Sequence, residues 1–71
     1  MTGNEYRSLR CKKHMTQEYV ARLIWISRAA LSGYEAERFD IPLLVALKLN
    51  RLYGIRDDEF DKYVYENTIN N

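Results

Sequence analysis

Cysteine is nearly absent from this chain. Cys11 stands alone among 71 residues, which excludes an internal disulfide, and the single histidine, His14, leaves no Cys/His set at zinc spacing. Cys11 and His14 lie three residues apart, but nothing beside them activates a thiol as a nucleophile, and His14 has no catalytic companion. Enzymatic function is therefore not expected, and no cofactor, metal or small-molecule substrate is evident. Proline occurs once and glycine three times, and no linker, repeat or low-complexity segment is found. The longest apolar run, 41–47, is far shorter than the ~20 residues needed to span a bilayer. The first residues lack a basic-then-apolar signal pattern, so the expected location is the cytoplasm. A strong charge of one sign is missing as well. The net charge is +1, and global basicity does not announce a nucleic-acid partner.

The distribution of charge says more than its sum. Residues 1–39 carry seven Lys/Arg against four Glu, and residues 40–71 carry four basic against six acidic side chains. The N-terminal half is thus the better candidate for facing a polyanion. At 46% hydrophobic and 30% charged, the composition is that of one small globular domain, 1–71. A chain of this size buries only about 60% of its unfolded surface, so a dimer would add useful buried area.

Helical signals dominate. Thr16 and Ser27 each have a hydroxyl able to accept a bond from an unpaired first-turn N–H. Each also sits inside a hydrophobic staple, Met15 with Val20 and Ile26 with Leu31. Two stapled starts eleven residues apart leave room for a helix over 17–24, a turn, and a second helix over 28–36. That is a helix-turn-helix layout, about 16–36. A first helix is expected over 5–13 with Tyr6 and Leu9 inward. Val20, Ala21 and Ile24 form the inward face of the second. Pro42 suits the first turn of a fourth helix ending near Tyr53, where Gly54 stops it. Its stripe is Val45, Ala46, Leu49, Leu52 and Tyr53. Leu43, Leu44 and Leu47 fall outside that stripe and predict either a dimer contact or burial under the loop or tail. Asp57, Asp58 and Glu59 mark the start of a fifth helix over 57–65 rather than a metal site, and 67–71 reads as a frayed tail. The expected fold class is all-α, a five-helix bundle.

The run Met15-Thr16-Gln17-Glu18, Val20-Ala21, Ile24, Ile26-Ser27-Arg28, Leu31-Ser32, Tyr34-Glu35 resembles the Cro/XRE helix-turn-helix family, which includes the lambdoid phage repressors. Tyr6, Leu9 and Arg10 resemble its first helix, and Tyr53-Gly54-Ile55 resembles the end of its fourth. The resemblance covers roughly residues 5 to 62. It implies a sequence-specific regulator of transcription, a repressor, binding double-stranded DNA as a homodimer with helix 28–36 in the major groove.

Carried over by position, the resemblance implies that Arg28, Ala29, Ser32 and Gly33 face base edges. Arg28 is the chief reader, because a guanidinium can bond both O6 and N7 of guanine. Gln17, Thr16, Ser27, Arg38, Lys12 and Lys13 are the implied phosphate contacts. Arg10 and Glu35 are implied to form a buried salt bridge between the first and third helices. Four departures stand out. His14 and Trp25 occupy positions where the family has Gly. The Trp25 ring either covers apolar surface beside the turn or meets a partner or the DNA backbone. Gly33 replaces a long polar residue and cannot itself read a base. Glu37 and Asp40 place carboxylates in a loop that usually touches phosphates, and Phe39 between them either packs under the loop or faces a partner. Gly33, Trp25, Glu37 and Asp40 motivate a second reading, an interaction module of antitoxin or antirepressor type that kept the fold without operator binding.

Overall fold

The computed structural model describes residues 1–55. Four helices follow one another: α1 Gly3–Lys12, α2 Gln17–Leu23, α3 Arg28–Glu35 and α4 Leu43–Tyr53. No strand occurs among the described residues, and the expected helix over 57–65 lies outside them.

Three of the four starts are held by side chains. The Thr16 Oγ1 accepts from the Tyr19 N–H at 3.1 Å, and the Ser27 Oγ accepts from the Ala30 N–H at 3.0 Å. Both caps are those expected from the sequence. α1 begins two residues earlier than expected. Thr2 caps it through a reciprocal box, its Oγ1 accepting from the Glu5 N–H at 3.2 Å while Glu5 Oε1 accepts from the Thr2 N–H at 2.9 Å. The Thr2 backbone bond, with its hydroxyl second, holds the Glu5 carboxyl below its ordinary pKa. Pro42 is corrected by one position. It precedes the first turn of α4 as the N-cap residue and supplies no side-chain cap bond.

All four helices end in the same way. The residue after each last turn turns left-handed: His14 at φ 57°, Trp25 at φ 63°, Glu37 at φ 61° and Gly54 at φ 73°. In each case that residue's N–H bonds back to the helix, and the next N–H reaches a carbonyl five residues earlier. The latter pairs are Met15 to Arg10, Ile26 to Ala21, Arg38 to Gly33 and Ile55 to Asn50, at 2.8–3.2 Å. This is the Schellman arrangement. Only Gly54 adopts it without a Cβ penalty; each of the other three costs about 1–2 kcal/mol.

The core comprises Tyr6, Val20, Ala21, Ile24, Leu31, Val45, Leu49 and Tyr53, with the staple residues Met15 and Ile26 packed against it. Val20 and Leu31 are fully enclosed, each contributing about 1.5–3 kcal/mol by leaving water. The expected inward residues Leu9, Ala46 and Leu52 are half-buried. Leu47, expected outside the stripe, is buried, whereas Leu43 and Leu44 are exposed. Asn50 is buried among these apolar groups. It accepts from the Tyr6 hydroxyl at 2.6 Å and so ties α4 to α1. The Tyr6 and Tyr53 rings lie 6.3 Å apart beside it. α1 meets α3 closely at Gly3, where a Cβ would collide with the Tyr34 carbonyl oxygen.

Candidate nucleic-acid interface

The site is built outward from Glu35, the last residue of α3, which is 2% exposed. Arg10 of α1 meets its carboxylate through two parallel bonds, Nε to Oε2 at 2.8 Å and Nη2 to Oε1 at 3.0 Å. The third arm of the guanidinium donates to the Met15 carbonyl at 2.8 Å. A planar fork on a carboxylate is the strongest common form of ion pair. The hydrogen bond to Glu35 raises the Arg10 pKa above its ordinary value, so the arginine stays charged although buried. Gln17, the first residue of α2, donates Nε2 to Glu35 Oε1 at 3.0 Å. One buried carboxylate therefore holds α1, α2 and α3 together. The Arg10–Glu35 pair was legible in the sequence through the resemblance; the Gln17 bond was not.

This clamp sets how the first turns of α2 and α3 stand beside each other. Arg10, Met15, Thr16, Gln17, Glu18 and Arg28 line one shallow surface depression, and Gln17, Arg28, Ala29 and Ser32 line a second. Gln17 and Arg28 belong to both, so the two run together. Arg28 is exposed and makes no ion pair among the described residues. Ala29 is exposed and Ser32 half-buried. Glu18 is the only carboxylate in these linings, and Arg22 lies 3.4 Å from it one helical turn away. The hydroxyls of Thr16 and Ser27 are already engaged as caps. Arg38, Lys12 and Lys13 are exposed but line neither depression.

Gly33 is corrected. Expected to face bases, it is buried, because the Phe39 ring lies where its Cβ would stand. Of the two readings of Trp25, the one in which the ring covers apolar surface beside the turn is corrected. Its ring is 89% exposed and covers little apolar surface, although it edges a depression shared with Leu23, Lys48 and Arg51. Lys48 crosses that region to donate to the Ile24 carbonyl at 3.1 Å, satisfying an acceptor at the end of α2. Glu37 and Asp40 are both exposed in the loop after α3, with the Asn4 amide 3.4 Å from Glu37.

Capped helices at this spacing, with a short turn between them and a buried ion pair behind, match a known pattern. A family model described as helix-turn-helix covers residues 7–60. The chain belongs to the helix-turn-helix family of the Cro/C1 type. No curated protein and no solved structure is matched by it. The helix-turn-helix is a DNA-binding regulatory unit, and α2 and α3 are its two helices. No helix among the described residues is long and apolar enough to cross a membrane.

Proposed function

We propose that this helix-turn-helix chain is a sequence-specific regulator of transcription, a repressor, that binds double-stranded DNA as a homodimer with α3 in the major groove. The observation that carries the reading is Arg28. It is an exposed guanidinium without an ion-pair partner among the described residues, at the first turn of α3, on a surface continuous with Gln17, Ala29 and Ser32. Arg28 reads a guanine, Ala29 touches a neighbouring base, and Ser32 bonds a base or a phosphate. Gln17 and Thr16 hold the backbone on one flank. The amide of Gln17 keeps one of its two hydrogens for a phosphate while the other engages Glu35. Arg38, Lys12 and Lys13 add phosphate attraction, and Ser27 seats the start of α3. Two α3 helices in a dimer would meet half-sites about 34 Å apart.

The test is selection of duplexes from a randomised pool, followed by titration of the enriched sequence. Arg28→Ala is expected to relax the preference at one guanine by about 1–3 kcal/mol. Binding by the parent chain should weaken steeply with salt, as cations are released from phosphates. A pool that yields no enriched sequence would overturn the regulator reading. It would favour the second reading, a protein-interaction module of antitoxin or antirepressor type, which the exposed Glu37 and Asp40 support by repelling phosphates.

A further inference from the structure

Gly33 follows Ala29 by four residues, so the two share a face of α3. That face would have a gap at position 33, because glycine carries no side chain. The structure fills it from another element. The left-handed turn at Glu37 directs the chain back along α3, and the Arg38 N–H is fixed to the Gly33 carbonyl at 2.9 Å. This delivers the next residue, Phe39, onto Gly33, so closely that any Cβ there would collide with the ring. The edge of the Tyr34 ring braces it, with centroids 6.3 Å apart and planes at 79°. Phe39 is nevertheless 57% exposed. One part of the residue lines a depression with Tyr34, Glu37 and Asp40, and much of the rest is open to solvent. The ring presents an apolar surface from a position that a side chain of α3 would otherwise hold.

Resting on the DNA-binding reading above, we propose that Phe39 is a base-contacting residue. In this assignment the exposed ring meets a thymine C5-methyl in the major groove, in place of the side chain that Gly33 lacks. The chemistry is apolar, and thymine alone offers a methyl group in that groove. Ring and backbone are pre-positioned by the Schellman bonds, so little ordering is required on binding. The absence of a side chain at 33 is then what admits the loop's aromatic to the recognition surface.

The experiment uses the duplex enriched by the parent chain from the randomised pool, together with copies in which each thymine in turn is replaced by uracil. Uracil pairs identically and lacks only the methyl. One replacement is expected to weaken the parent chain about fourfold, the worth of one buried methyl group, and to leave Phe39→Ala unaffected. Phe39→Leu, which keeps Gly33 covered, guards against a folding defect and should retain part of the sensitivity. If Phe39→Ala and the parent chain respond alike to every uracil, the Phe39 assignment is wrong. In that case Arg28→Ala decides the wider reading. Loss of binding there leaves α3 as the recognition helix, whereas a pool with no enriched duplex removes both claims.

Discussion

Replacing Glu35 by Gln keeps its shape and removes its charge, which isolates the clamp at the centre of the site. Three donors converge on the carboxylate, two from Arg10 and one from Gln17. With the charge gone, the guanidinium keeps the Met15 carbonyl and a single neutral amide oxygen as acceptors. The new amide also turns an N–H toward a group that only donates. Arg10 is 9% and Glu35 2% exposed, so water cannot substitute freely. Stranding one member of such a pair costs about 3–5 kcal/mol. A 71-residue domain has about 4–10 kcal/mol in total, so the variant should be folded only marginally. In urea, at a slope near 1 kcal/mol per molar, the midpoint should fall by about 3–5 M. The double variant Arg10→Met with Glu35→Leu removes both charges and should recover most of the loss, because a well-packed apolar pair often matches a buried ion pair. Double-mutant analysis of the four midpoints gives the coupling. A shift below about 0.5 kcal/mol for Glu35→Gln would contradict the buried clamp. Additive losses in the double variant would deny that the two groups depend on each other.

Two further outcomes are expected. Tyr53 is buried and its hydroxyl has no hydrogen-bond partner among the described residues. Burial, with the Glu35 charge second, pushes its pKa up to about 12. The unfolded chain loses this proton near pH 10, so the associated stability is complete below pH 10 and is lost as pH rises toward 12. In phenolate absorbance of the native chain Tyr53 should ionise late, and Tyr53→Phe should remove one tyrosine's share of the late absorbance while raising the stability in urea by about 1 kcal/mol. Trp25→Gly and Glu37→Gly relieve left-handed strain of about 1–2 kcal/mol against a glycine entropy cost of about 0.5–1. Each should stabilise the chain by about 0.5–1 kcal/mol in thermal or urea melts, and Glu37→Gly should also tighten DNA binding by removing a repulsive charge.

Helix placement was legible where side chains declare it. Thr16 and Ser27, each flanked by its staple, fixed the starts of α2 and α3, and Gly54 fixed the end of α4. The start of α1 was equally readable in Thr2-Gly3-Asn4-Glu5, a capping box whose threonine and glutamate are three apart. The ends of α1 to α3 were harder, because left-handed residues that are not glycine carry no compositional flag. The resemblance pointed to His14 and Trp25, while Glu37 went unforeseen. Asn50 shows another limit. It sits on the inward stripe with Ala46 and Tyr53, yet a polar residue there gains meaning only once Tyr6, 44 positions away, is brought to it. Phe39 and Gly33 are only six positions apart, yet their contact was hidden for another reason: it is set by a turn direction that periodicity does not encode.

The arrangement explains why an arginine can stand unpaired beside a buried ion pair without being captured by it. Both carboxylate oxygens of Glu35 are occupied, Oε2 by Arg10 Nε and Oε1 by Arg10 Nη2 and Gln17. Glu35 is 2% exposed and its charge is already met by Arg10, so little is left to draw Arg28 toward it. The other nearby carboxylate, Glu18, lies within 3.4 Å of Arg22. Leu31 and Glu35, four residues apart and both buried, fix the rotation of α3 about its axis. What remains on the outside is Arg28, Ala29, Ser32 and the ring over Gly33. The Glu35 charge is balanced by Arg10, so, on the DNA-binding reading, loss of Gln17's bond to Glu35 should affect recognition through the seating of α2 beside α3 as well as through the phosphate contact.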